Sequence, residues 1–124
     1  MKKTSPKQND LNDLQNLVVK FRDARDWKQF HNPKDTSLSL VLEAAELMEH
    51  FQWKNAEEIE AYLKTNKVDV AEELADVLYW VLLIGHDLEI DIADAFKKKL
   101  KKNDEKYPVE KAKGKHSKYT EYQK

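Results

Sequence analysis

Eight consecutive residues, Val77-Leu-Tyr-Trp-Val-Leu-Leu-Ile84, would be apolar on every face of a helix. A surface helix carries an apolar stripe, so one that is apolar all round must lie at the centre of a bundle or under a second subunit. A strand reading fails on punctuation. The chain holds only two Gly and three Pro in 124 residues, whereas a β protein needs turn signals every 8–12 residues or so. Ala, Leu, Glu and Lys dominate, as they do in helices. The length favours one domain and is short for covering such a helix from within. The expected fold class is therefore all-α, a helical bundle of about four to five helices. It should assemble on a dimer whose interface includes this run.

Two acidic pairs interrupt the apolar runs, Glu43-Ala-Ala-Glu46 and Glu73-Leu-Ala-Asp76. Residues three apart share a helix face, so each pair points two carboxylates one way. Ionised carboxylates among apolar neighbours need a positive partner, and neither run contains Lys or Arg. Converging oxygen ligands suit a hard divalent cation, Mg²⁺ with Mn²⁺ able to substitute, better than a soft metal. One Glu-x-x-Glu alone is equally a solvated helix face; two, each flanked by Leu, Val and Ala, point to a metal site. Glu49 could extend the first stripe but lies near a helix end. Glu72 is turned about 100° from Glu73.

Along the chain, residues 1–9 read as disordered. A first helix is expected at about 10–29, with Leu11, Leu14, Val18 and Phe21 on one stripe, ended by His31-Asn32-Pro33. A second, capped by Thr36 or Ser37, runs to about Gln52. Asn55-Ala-Glu-Glu58 is a capping box opening a short third helix, which Asn66 could end. A fourth covers about 67–87. Asp91-Ile-Ala-Asp94 starts a fifth that lasts to about Lys106, before Pro108. The functional domain is read as residues 10–107, and residues 108–124 as an extended or mobile Lys-rich tail.

Charge is unevenly spread. Residues 1–96 hold 11 Lys+Arg against 19 Asp+Glu, and residues 97–118 hold ten Lys against three acids. This asymmetry fits a phosphate-bearing ligand or simply a solvated Lys-rich helix. There is no Cys, which excludes disulfides and thiolate metal sites. No secretory pattern follows the basic N-terminus, and no apolar run nears the roughly 20 residues of a membrane span. The expected location is cytoplasmic, with no membrane and no nucleic-acid partner. Two Gly cannot build a Walker loop, and His50, His86 and His116 have no zinc spacing. Phe21, Phe51 and Phe96 read as core. Trp27 and Trp53, at helix ends beside polar residues, could instead stack on a flat ring.

The ordered series Arg25-Asp-Trp27-Lys-Gln-Phe-His31, Leu42-Glu43-x-x-Glu46-Leu-x-Glu49-x-Phe51-Gln-Trp53, Glu72-Glu73-Leu-x-Asp76-Val-Leu78, Lys99-x-x-x-Asn103-x-x-x-Tyr107-Pro108 and Lys118-Tyr-Thr-Glu121 resembles the MazG-like all-α nucleoside triphosphate pyrophosphohydrolases. The dCTP pyrophosphatase branch is the best likeness, over about residues 11–122. The resemblance implies an enzyme, a nucleoside triphosphate diphosphatase that converts a (d)NTP, with dCTP or a modified dCTP expected, to the (d)NMP and pyrophosphate. It implies a dimer or dimer-of-dimers tetramer. Mg²⁺ would be held by Glu43, Glu46, Glu73 and Asp76, which form the catalytic centre with Glu46 as proton acceptor. Substrate would meet Trp27, His31, Trp53, Lys54, Trp80, Lys99, Asn103 and Tyr107. Vertebrate-like members carry other residues at Val18 and Trp80, which leaves the base preference open. A non-catalytic nucleotide-binding or sensor protein of the same fold is the alternative.

Overall fold

A computed structural model describes residues 10–122. The disorder expected for residues 1–9 lies outside the described residues. Five helices form: α1 (Leu11–Asp23), α2 (Pro33–Glu49), α3 (Ala56–Asp87), α4 (Ile92–Lys106) and the single-turn α5 (Val109–Ala112), with 3₁₀ turns at Lys28–Phe30 and Tyr119–Glu121. No strand occurs among the described residues, in keeping with the all-α expectation. The described residues fall into two compact units that divide after Ile90.

Local chemistry explains most boundaries. Side chains of Asp10, Asn32, Asn55 and Asp91 cap α1 to α4 by accepting the backbone N–H three residues on. At Asn55 the box is reciprocal, because Glu58 also accepts from the Asn55 N–H at 2.9 Å. Helix α2 starts earlier than expected. Asn32 is its cap rather than Thr36 or Ser37, and Pro33 takes the first-turn position where its missing N–H is harmless. Helix α1 stops at Asp23 rather than near residue 29. Asp26 takes φ +56°, and the N–H groups of Arg25 and Trp27 both turn back to the Arg22 carbonyl, at 3.1 and 3.3 Å. The expected third and fourth helices are one element, α3, kinked where Asn66 leaves helical geometry. The Asn66 amide instead accepts from Thr65 Oγ at 2.8 Å, the local competition that makes Asn a poor helix-interior residue.

In the first unit both α1 and α2 pack on α3. From the all-apolar run, Leu82 and Leu83 are fully buried, each stabilising by about 1.5–3 kcal/mol. Gln15 of α1 donates its amide to the Leu82 carbonyl at 2.9 Å. Other apolar side chains of the two acid-bearing helices stay exposed in this chain: Leu38, Val41 and Leu42 on α2, Leu74 and Leu78 on α3. The second unit carries α4, α5 and the last turn. Tyr107 packs edge-on against Tyr119 at 5.7 Å and Tyr122 at 5.8 Å. Residues 109–122 are therefore partly helical rather than an extended tail, because those rings anchor them. Phe96, read as core, is exposed, as is part of Phe21.

Candidate functional site

Glu43 projects from the middle of α2. Glu73 and Asp76 project from facing turns of α3. One oxygen from each of the three lies within 4.8 Å of the others. Glu43 Oε2 and Glu73 Oε2 are buried with no hydrogen-bond partner, and no ion pair among the described residues involves either acidic pair. A buried carboxylate oxygen left without a donor costs on the order of 1–3 kcal/mol or more. The Glu43 carboxyl is accordingly held above the usual carboxylate range. Burial is the main cause, followed by the charges of Asp76, Glu46 and Glu73. Orphaned, closely spaced oxygens and no nitrogen or sulfur donor are what a hard divalent cation requires. The donor set fits one.

Glu46 is exposed one turn along α2. Its charge reaches Glu43, but its oxygens are not in the three-carboxylate group. That leaves Glu46 free to handle a proton at the rim. Glu49 and Glu72 are exposed and outside the group, as their helical phase dictates.

Against the carboxylates lies a cavity of about 520 Å³, walled by Leu17, Val18, Phe21, Trp27, Glu43, Asp76, Tyr79 and Trp80. Its aromatics are mutually edge-on: Phe21 and Trp27 at 5.9 Å, Phe21 and Tyr79 at 6.2 Å, Tyr79 and Trp80 at 5.0 Å. Such packing fixes ring planes without filling the space between them. The Arg25 guanidinium sits 3.7 Å above the Phe21 ring and donates to the Phe21 carbonyl at 2.8 Å. Burial lifts the Tyr79 phenol above its ordinary value, against the opposing pull of Arg22 and Arg25, and keeps it a neutral donor. An aromatic chamber ending in two carboxylates matches a flat ring attached to a cation-chelated, polyanionic tail.

Of the residues expected to meet substrate, Trp27 and Trp80 line this cavity. His31 stands behind Trp80, ring centroids 5.3 Å apart. Trp53 is not on the wall. It occupies the turn between α2 and α3 at φ +70° and is 91% exposed. Lys54 is engaged locally: its ammonium donates to the His50 carbonyl at 2.8 Å and lies 4.4 Å over the Tyr62 ring. Lys99, Asn103 and Tyr107 belong to the second unit. There Asn103 and Tyr107 share the wall of a separate cavity, and Lys99 is exposed. Sequence reasoning missed Phe21, Tyr79 and Leu17 as cavity walls. The signal was present for two of them: Phe21 is three residues beyond Val18, and Tyr79 is three beyond Asp76, on the acidic face.

The MazG-like family pattern matches residues 38–122. The mouse protein dCTP pyrophosphatase 1 is 36% identical over 113 residues, covering 90% of this chain and 66% of the mouse protein. Its human counterpart of the same name is 35% identical with the same coverage. The chain thus spans about two thirds of these mammalian relatives. A crystal structure of a pyrophosphatase from Archaeoglobus fulgidus superposes with a TM-score of 0.74 at 39% identity, covering 79% of this chain and 92% of that one.

Proposed function

The chain belongs to the MazG-like family, and on that premise we propose that it is a nucleoside triphosphate diphosphatase. It would convert a (d)NTP, with dCTP or a modified dCTP as first candidate, to the (d)NMP and pyrophosphate. The observation that carries the reading is the abutment of the Glu43, Glu73 and Asp76 oxygens on an aromatic cavity of about 520 Å³. Relatives named dCTP pyrophosphatase support the substrate class. The acting domain is proposed as residues 10–107, with residues 108–124 as its tail.

Glu43, Glu73 and Asp76 would hold Mg²⁺ or Mn²⁺. When bound, such a cation offsets triphosphate charge and acidifies the attacking water. Trp27 and Trp80 stack on the base and set its orientation, with His31 bracing Trp80. Glu46, exposed and outside the tight group, accepts the proton of the water that attacks between the α- and β-phosphates. Leu17, Val18 and Phe21 complete the wall at the base end. Lys54 is proposed for phosphate and Trp53 for the base in the assembled protein.

The proposed assembly is a dimer or a dimer of dimers. Exposed Val41, Leu42, Leu74 and Leu78 lie on the two helices that carry the acids. Trp53, so fully exposed in its own chain, would find neighbours in such an assembly. Light scattering that gives a clean monomer at micromolar concentration would overturn the assembly. For the activity, the decisive measurement is a pyrophosphate-release panel over canonical and modified NTPs and dNTPs with and without Mg²⁺. Release that needs the metal and favours cytosine supports the reading. Tight binding of every triphosphate with no release would replace it with a sensor.

A further inference from the structure

Arg22 is the one fully buried cation among the described residues, and the chemistry above does not use it. Its side chain is 0% exposed, and Nη1 donates to Asp87 Oδ2 at 2.6 Å. Nε donates to Asp23 at 3.1 Å. Nη1 also faces His31 Nδ1 at 3.5 Å. A guanidinium has donors only, so His31 must turn a lone pair toward it, which places the ring proton on Nε2. Burial, and then the Arg22 charge, hold the imidazole below its ordinary value, in keeping with a neutral ring.

We propose that Arg22, anchored on Asp87, is a positioning residue for the base pocket, fixing two of its indoles through separate atoms. The proposal rests on the nucleotide reading of the cavity. Through its side chain Arg22 sets the His31 ring, and His31 meets Trp80 edge-on at 5.3 Å and 65°. Through its carbonyl it accepts the N–H of Trp27 at 3.3 Å and so closes the turn that carries that indole. Beyond His31 lies a second cavity of about 220 Å³, lined by Lys28, Asn32, Thr36 and Asp87 among others. This space gives the imidazole room to swing away from Trp80 unless something holds it. Arg22 joins the end of α1 to the last residue of α3 and the loop before α2, the three segments on which the pocket is built.

The competing reading is a buried ion pair that serves stability alone. Removing Arg22 by itself strands the Asp87 charge and could unfold the chain, so the variant of choice is Arg22→Met with Asp87→Leu, which removes both charges at similar volume. It is compared with wild type in thermal midpoint, His31 tautomer by ¹⁵N NMR, and the steady-state constants for pyrophosphate release. The expected result is a midpoint within a few degrees of wild type and an imidazole that exchanges between tautomers. KM should rise about tenfold and kcat stay within about twofold, as loss of an oriented aromatic wall implies. A folded double variant with wild-type KM overturns the proposal, as does a wild-type His31 protonated at Nδ1. If wild-type protein releases no pyrophosphate from any triphosphate, the functional reading falls instead, and the tautomer comparison still decides whether Arg22 sets His31.

Discussion

Replacing Glu43 by Gln should stabilise the metal-free protein and remove its response to Mg²⁺. Full charges on two oxygens no more than 4.8 Å apart repel by at least about 3.5 kcal/mol at an effective dielectric near 20, and Glu43 faces two such partners. Its raised pKa eases part of that repulsion, and water at exposed Asp76 screens part of the rest. Glutamine is uncharged and can donate to Glu73, so the net gain should be about 1 kcal/mol, or roughly 4 °C for a domain of this size. In wild type, Mg²⁺ at about 100 times its Kd adds about 2.7 kcal/mol, near 10 °C. The assay is a thermal melt at fixed protein concentration, with Mg²⁺ from zero to 10 mM. The variant should melt above wild type without metal and below it with metal. The sign with pH follows from linkage. The folded pKa of Glu43 lies above its ordinary value of 4.5, so the native state binds more protons than the unfolded one. Wild-type metal-free stability therefore falls as pH rises through the folded value. The advantage of Gln should close below about pH 4.5 and widen as pH rises above it. A variant that melts several degrees below wild type without metal, and then gains as much from Mg²⁺, would refute the reasoning.

Glu46→Gln should cut kcat by about 100-fold or more while keeping the Mg²⁺ thermal shift, whereas Asp76→Asn should lose both; circular dichroism should show unchanged helix content in each. Trp27→Ala should raise KM by about tenfold with little effect on Mg²⁺ affinity, the worth of one base–aromatic stack, as measured by initial rates of pyrophosphate release. His31 titrates in the opposite sense to Glu43. Its folded pKa is below 6.5, so the unfolded chain takes up a proton first, and stability is lost as pH falls below about 6.5. The difference between wild type and a His31→Gln variant in melts from pH 7.5 to 5 should isolate that slope from the opposite one of Glu43.

The boundaries that were legible are those written in a few adjacent residues. The Asn55 to Glu58 box, the Asp91 cap and the break at Asn66 all act within one helical turn, so local chemistry is enough to place them. The start of α2 was misplaced because three polar residues close together, Asn32, Thr36 and Ser37, can each cap. Only the observed geometry says which carbonyl and which N–H are left over. The end of α1 was missed because nothing in Ala24-Arg-Asp forbids helix; two backbone bonds to the Arg22 carbonyl decide it. Phe21 and Tyr79 were legible as aromatics on the right faces but not as walls of one cavity, since their meeting depends on how α1 lies on α3.

What the sequence determined by itself is the helical class, the pairing of carboxylates at three-residue spacing, and their need for a cation. Those follow from helix periodicity and from the scarcity of turn residues, and both are local properties. The tertiary structure decided which acids converge. It set Glu43 against Glu73 and Asp76 and left Glu46 at the rim, because the rotation of α2 about α3 is fixed by packing rather than by spacing. It also placed Trp27 and Trp80 on the cavity and left Trp53 in solvent. And it gave Arg22, one Arg among many charged residues in the sequence, a buried place beneath the pocket, because only the folded chain brings Asp87 and His31 to it across more than one element.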